Sequence, residues 1–167
     1  MEIRHLLETD DLGAVSRVYE ESWRAAYRGI VPQEYLDNIP EGHWIPYLRD
    51  GRSSALVLVE EGQIIGTTSY CKSRFPEYGD FGEIISIYLL PQSMGKGYGR
   101  PLLEAARDEL ARLGFQKVFL WVLEENHRAR RFYEKAGFSF SGHCLQNHIG
   151  GKALRELQYR YCAPDHL

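Results

Sequence analysis

From Glu83 to Leu123 the chain switches between two kinds of apolar pattern, and this switch restricts its fold more than any other stretch. Glu83–Leu90 is apolar on both faces except near Ser86, and Phe115–Leu123 is a second run apolar on both faces. Such runs belong in the interior of a sheet. Between them, from about Gly97 to Leu113, Leu102, Leu103, Ala106, Leu110 and Leu113 recur at helical spacing, and Gly114 supplies a left-handed stop. Pro101 falls in the first turn, where N–H groups have no internal acceptor, so it is tolerated. Strand, helix and strand in this order imply a parallel pair joined by a right-handed crossover.

The flanking segments complete a mixed sheet. Met1–Leu7 reads as a strand, and Asp10 or Asp11 caps a helix with Leu12, Val15, Val18, Tyr19 and Trp23 on its apolar side. That helix is expected to end near Gly29, Pro32 to open a short second one, and residues 43–50 to be irregular because Pro46 breaks them. Ser54–Glu60 and Gln63–Lys72 flank Glu61-Gly62, a hairpin signal. Asn126 opens a helix with Ala129, Phe132, Tyr133 and Ala136 on one side and Gly137 at its end. Two strands, about Ser139–Gln146 and Ala153–Tyr161, surround Ile149-Gly150-Gly151. The order βααβββαβαββ places the chain in the α+β or α/β class. A length of 167 residues points to one domain spanning 1–167.

Composition excludes several classes. A net charge of −3 with no basic stripe gives no reason to expect nucleic acid. The opening MEIRHLLETDD has no long apolar segment, so neither a signal peptide nor a membrane span is expected. Cys71, Cys144 and Cys162 are odd in number and show no ligand spacing, which predicts reduced thiols, no metal and a cytoplasmic setting.

Gly95, Gly97 and Gly99 alternate between the first apolar run and the helix. A nucleotide P-loop fails here, because Gly95-Lys96 is followed by Gly97 and Leu90 stands where its first glycine belongs. A dinucleotide fingerprint fails as well, because GKGYGR lacks the third glycine in register. The glycines serve either a tight strand-to-helix turn or the approach of an anion to free amides.

EIISIYLLPQSMGKGYG followed by NHRARRFYEKAGF resembles the GCN5-related N-acetyltransferases, the GNAT superfamily, and the element order agrees over nearly the whole chain. The resemblance implies a central mixed, mostly antiparallel sheet with a splayed parallel strand pair and helices on both faces. It implies an acetyl-CoA-dependent N-acetyltransferase without a metal, acting on a primary amine of a small molecule by direct attack in a ternary complex. The alternatives it admits are a protein or peptide N-acetyltransferase and a non-catalytic acyl-CoA-binding module. A homodimer is compatible with the fold, although no residue pattern specifies one.

The family's acyl-CoA signature falls on Met94, Gly95, Lys96, Gly97, Tyr98 and Gly99, where Met94 departs from the usual Gln or Arg. A register begun at Gln92 would restore that residue. The resemblance implies that amides of residues 94–99 bind a pyrophosphate, with Lys96 and Arg100 adding charge. Of Arg128, Arg130 and Arg131, read as a solvated face, one reaches the 3′-phosphate. Asn126 caps its helix, bonds the pantetheine arm, or does both. Ile87, Tyr88 and Leu89 line the slot between the splayed strands, and the Leu89 amide faces the thioester oxygen. By the same resemblance Tyr133 would protonate the departing thiolate, and Glu83 would take the proton of the amine, unless Glu83 is an ordinary strand-end glutamate. For the acceptor, Trp23, Tyr27 and Tyr70 are the residues expected at the pocket, with Tyr35, Trp44, Tyr47, His143 and His148 nearby.

Overall fold

The computed structural model of the chain describes residues 1–162. Its strands are β1 (Glu2–His5), β2 (Ser54–Glu60), β3 (Gln63–Lys72), β4 (Gly82–Leu89), β5 (Lys117–Leu123), β6 (Ser139–Ile149) and β7 (Lys152–Cys162). Its helices are α1 (Leu12–Ala26), α2 (Gln33–Asp37), α3 (Ile45–Arg49), α4 (Gly99–Arg112) and α5 (His127–Lys135). The strands form one sheet in the order β1-β2-β3-β4-β5-β7-β6. Only β4 and β5 run parallel, and every other pairing is antiparallel.

The sheet carries helices on both faces because β2 alternates. Leu56 and Leu58 join Leu102, Leu103, Ala106 and Leu110 of α4 on one side. Val57 meets Val15 and Tyr19 of α1 on the other. The short α2 supplies Leu36, which packs with Leu123 and Leu154 at the far ends of β5 and β7.

The ends of the elements follow from single residues. Asp11 caps α1 by accepting from the Gly13 and Ala14 N–H groups. Helix α4 ends in a Schellman motif, with Phe115 N–H on Leu110 O (2.9 Å) and Gly114 N–H on Ala111 O (2.9 Å), and α5 repeats it through Phe138 on Tyr133 (3.0 Å) and Gly137 on Glu134 (3.1 Å). Phe115 is thus held in the cap, and β5 begins two residues later than the apolar pattern predicts.

Three other boundaries depart from the sequence expectation. Helix α4 starts at Gly99, because Gly97 has φ +88° and lies outside helical space. Strand β6 continues to Ile149, and the hairpin closes on Gly150 and Gly151 alone, both at positive φ as a two-residue primed turn requires. Residues 43–50 are not irregular: Pro46 sits in the first turn of α3, where its missing N–H costs nothing.

Among the described residues no helix is long and apolar enough to cross a membrane, and no cluster of His, Cys, Asp or Glu could hold a metal ion. Cys71, Cys144 and Cys162 are free.

Candidate active site

The parallel pair is barely a pair. β4 and β5 match only at Gly82 with Val118 and Glu83 with Phe119, and beyond Glu83 the strands separate. A bulge in β4 lies just past that point: Ser69 of β3 faces Ser86, but Tyr70 faces Ile84, so Ile85 is the extra residue. A bulge bends its strand and ends regular pairing. Ser86 is anchored at the bend by Ser69 Oγ at 2.6 Å and Tyr19 Oη at 3.1 Å. The gap opens a cleft of about 1150 Å³, lined by Ile87, Tyr88 and Leu89 from β4 and by Trp121, Val122 and Leu123 from β5.

The separation leaves β4 amides without partners. Leu90 N–H bonds Ile65 O of β3 at 2.8 Å. N–H groups alternate along a strand, so the Leu89 N–H faces the side from which β5 has withdrawn.

One end of the cleft is the glycine corner. Gly95 and Gly97 hold φ values of +74° and +88°, which only glycine adopts without strain. Neither they nor Lys96 and Tyr98 donate a backbone N–H to an acceptor among the described residues, and no side chain caps α4. Free amides gathered at a helix start are suited to an anion. A Cβ on Gly99 would lie 3.2 Å from the Phe132 ring, so that glycine lets α5 approach α4. Met94, Gly95, Gly97, Gly99 and Arg100 line the cleft. Lys96 is exposed and does not. Tyr98 turns away too: its hydroxyl donates to Glu60 at 2.6 Å, fastening the start of α4 to the β2–β3 hairpin.

The expected solvated arginine face divides. Arg128 and Arg131 line the cleft, with Arg128 Nη2 3.7 Å from where a Gly95 Cβ would stand. Arg130 instead bonds Tyr159 Oη at 3.1 Å and Glu124 O at 3.0 Å, holding α5 to β7.

Tyr133 lies at mid-cleft. Its ring is buried, while its hydroxyl has no hydrogen-bond partner among the described residues and is not one of the polar atoms sealed inside the protein. It is therefore no structural phenol tied to backbone. Burial, reinforced by the neighbouring Tyr88, holds its pKa well above the ordinary value. Tyr88 is pushed to about 12 for the same first reason, and its hydroxyl pairs with that of Tyr27 at 3.2 Å. Asn126 caps α5, its Oδ1 accepting from Ala129 N–H at 3.2 Å, and it also lines the cleft.

The other end is aromatic. Trp23 and Tyr27 line it together with Trp44 and Tyr47. The wall is continuous, with Trp23–Tyr27 centroids at 4.8 Å, Trp23–Trp44 at 5.4 Å and Tyr19–Trp44 stacked at 5.2 Å. A buried acid of α1 itself fixes this wall. Glu20 accepts from Ser16 Oγ (2.5 Å) and from Gly42 N–H (3.0 Å), and Ser16 Oγ accepts from Trp44 N–H (3.1 Å).

Two expectations fail on geometry. Tyr70 does not face the cleft: Ser69 does, and alternation turns Tyr70 to α4, where its hydroxyl lies 3.5 Å from Glu109. Glu83 does not line the cleft either. Its side chain is 1% exposed and clamped by Arg74, through Nη2 at 2.6 Å, Nε at 3.1 Å and the backbone N–H at 3.0 Å. It is a counter-ion beneath the cleft wall, because a sealed carboxylate needs its charge matched. His143 and His148 are exposed outside the cleft.

Among the lining residues that sequence reasoning missed are Arg74, Trp121 and Glu156. Arg74 lies in a loop and left no signal. Glu156 did leave one, as an acid on the inward row of β7 between Leu154 and Gln158, both buried. Burial pushes its carboxyl upward, and Asn147 and the Arg74 charge offset part of the rise.

Comparison with known proteins agrees with this geometry. The model of the acetyltransferase (GNAT) family matches residues 15–138. The uncharacterized N-acetyltransferase YuaI of Bacillus subtilis (strain 168) is 33% identical over 124 residues, 70% of this chain and 69% of that protein. The spermidine N(1)-acetyltransferase of Thermoplasma acidophilum is 26% identical over 168 residues, 95% of this chain and 98% of its own. The crystal structure of the PaiA N-acetyltransferase from Thermoplasma acidophilum in complex with coenzyme A superposes with a TM-score of 0.74 at 21% identity, covering 98% of this chain and 100% of that one. With its family model spanning the bulged β4, the glycine corner and α5, the chain belongs to the acetyltransferase (GNAT) family.

Proposed function

We propose that the protein transfers the acetyl group of acetyl-CoA to a primary amine of a small molecule, by direct attack while both substrates are bound. The observation that carries this is the divergence of β4 from β5 after Glu83. It supplies, in one cleft, unpartnered amides at the glycine corner, a free Leu89 N–H and the open hydroxyl of Tyr133. A cleft of about 1150 Å³ exceeds the roughly 300–1,000 Å³ usual for one ligand. That size suits a long coenzyme and an acceptor together.

Each part has a role in this reading. The amides of Gly95, Lys96, Gly97 and Tyr98 hold the pyrophosphate, and Arg100, Arg128 and Arg131 surround it with positive charge. The Asn126 amide nitrogen, not used by the cap, bonds the pantetheine arm. The acceptor nitrogen forms a bond to the thioester carbon, and the Leu89 N–H stabilises the oxygen as it gains charge. When the carbon–sulfur bond breaks, Tyr133 donates its proton to the sulfur and takes one from the new amide nitrogen. A phenol with a raised pKa is protonated at neutral pH, as this role requires. Glu83 is walled off by Arg74, so the first ammonium proton leaves by another group.

The acceptor end favours a small molecule over a protein segment. Trp23, Tyr27, Trp44 and Tyr47 form a cup under α1 and α3, whereas an extended peptide needs a groove open at both ends. The test is thiol release from acetyl-CoA across a mixed amine and peptide pool, with mass spectrometry of the products and a protein-only control. N-acetylated small amines are expected. Acetylated peptides alone would assign a protein substrate, and coenzyme binding without any product would make the chain an acyl-CoA-binding module.

A further inference from the structure

The acceptor end of the cleft carries two opposite charges that do not touch. Arg74 and Glu156 both line it, from the loop after β3 and from β7. Each perturbs the other's ionisation through space, yet no ion pair joins them among the described residues. Left to themselves, opposite charges in a shared cleft would close into a salt bridge. Here Arg74 is prevented. Its Nε and Nη2 are fixed on the sealed Glu83 carboxylate, and only Nη1 remains without a protein acceptor. Half of the side chain, 54%, remains exposed. Glu83 thus sets the direction in which Arg74 presents its remaining donors.

A second donor on the same wall lacks an acceptor. Trp121 packs on Phe75, the residue after Arg74, at 5.5 Å between centroids. Its indole N–H is buried without a hydrogen-bond partner. Buried donors left unpaired are uncommon and costly, and this one belongs to a ring that packs on the residue next to Arg74, whose guanidinium also has donors to spare. On β7, the strand paired with β5, Glu156 stands opposite Leu123 and two residues along from the partner of Trp121. Its carboxylate supplies an acceptor there, with the paired hydroxyls of Tyr27 and Tyr88 close enough to feel its charge.

We infer that the acceptor is dipolar, an amino-acid-like molecule whose anionic group is held by Arg74 and whose primary ammonium is held by Glu156. This rests on the acetyl-transfer reading and narrows its substrate. A polyamine would place a cation against Arg74, and a simple amine would leave Arg74 unanswered. Glu156 then takes the first proton: the ammonium gives one to its carboxylate, the freed lone pair forms the carbon–nitrogen bond, and Glu156 later releases that proton to solvent. The second nitrogen proton replaces the one Tyr133 gives to sulfur, so one proton is released per N-acetyl product.

The test is calorimetric titration of the protein saturated with coenzyme A. The probes are the free α-amino acids, taurine and 4-aminobutyrate, set beside the amino-acid methyl esters and spermidine. At least one free acid is expected to bind about tenfold or more tighter than its ester, the worth of one charge-assisted contact. Arg74→Gln alone strands the Glu83 carboxylate, so the informative variant is Arg74→Gln with Glu83→Gln, which removes both charges. It should bring the acid-to-ester ratio close to one while keeping ester affinity. Glu156→Gln should weaken acid and ester alike. An unchanged ratio in the double variant, esters or spermidine binding as tightly as any free acid, or no free acid binding at all would overturn the inference. The transfer reading is separable: selective binding of an acid that acetyl-CoA never acetylates defeats the transfer reading and leaves the dipolar pocket standing. Rapid acetylation of esters and spermidine defeats the dipolar pocket alone.

Discussion

Replacing Tyr133 by Phe removes one oxygen from the middle of the cleft and nothing else. The hydroxyl has no protein partner among the described residues, so no donor or acceptor is orphaned by its loss. The ring keeps its contacts with Phe132 (5.3 Å) and Phe138 (6.0 Å), which fill the space between α5 and the sheet. Stability should therefore change by less than about 0.5 kcal/mol, the range for substitutions that disturb no packing or hydrogen bond. Catalysis should change far more. A positioned proton donor contributes roughly 10²- to 10⁴-fold, so kcat is expected to fall by at least about 100-fold, some 2.7 kcal/mol of barrier. The raised pKa also fixes the sign of the pH response. A phenol that ionises only above its ordinary value stays protonated through neutral and mildly alkaline pH. The wild-type rate should then show no decline assignable to Tyr133 below about pH 10. The assay is steady-state thiol release with varied acetyl-CoA, paired with calorimetric coenzyme affinity and thermal melting of both proteins. Turnover within a factor of a few of wild type would refute the role of the hydroxyl. So would a turnover loss matched by an equal loss of coenzyme affinity or of melting temperature.

How much of this site could be read beforehand depended on whether main chain or side chain carried it. The glycine corner, the stops at Gly114 and Gly137 and the Asn126 cap are local. Each needs a particular residue type at a particular backbone conformation, so each is visible in one sequence. The splayed strands were legible only through resemblance. Nothing in EIISIYLL announces that Ile85 bulges, since a bulge depends on the register with β3. Glu83 shows where position misleads. Its place at the start of β4 suggested a base, and only the return of the loop after β3 brings Arg74 over it. Tyr70 failed because one residue of register decides the face, and Ser69 took the inward place. The acceptor end is assembled from α1, α3, the loop at Arg74, β5 and β7, and no local pattern links segments so far apart in sequence. Glu156 was the exception available: an acid on an otherwise buried row of a strand.

The remaining predictions probe separate parts of the structure. Gly97→Trp should abolish acetyl-CoA binding in calorimetry, because a side chain at φ +88° is strained and intrudes on the amide cradle; wild-type affinity would remove the pyrophosphate assignment. Asn126→Ala should cost about 1 kcal/mol of stability by loss of the α5 cap, read from urea unfolding, and no change would mean the cap bond is immaterial. Asp10 is held below its ordinary pKa first by its two hydrogen bonds to Arg4, so its contribution is present above the unfolded value near 3.9 and fades as pH falls through the lower folded value. Melting of Asp10→Asn should accordingly lie below wild type at pH 7 and converge with it in acid; a gap independent of pH would contradict the pairing. The Arg74–Glu83 pair should respond asymmetrically, because its members differ in exposure, 54% against 1%. Removing Arg74 leaves a carboxylate sealed from water with a single backbone N–H, the situation that costs about 3–5 kcal/mol in buried pairs. Removing the charge at Glu83 leaves a guanidinium half in water, which solvent can stabilise. In urea unfolding, Arg74→Gln should therefore be the more damaging change by at least about 2 kcal/mol, and the double variant should recover most of that loss. Equal losses from the two single variants would mean that Glu83 is not the buried anion Arg74 neutralises. The direction in which Arg74 presents its free donors would then need another cause.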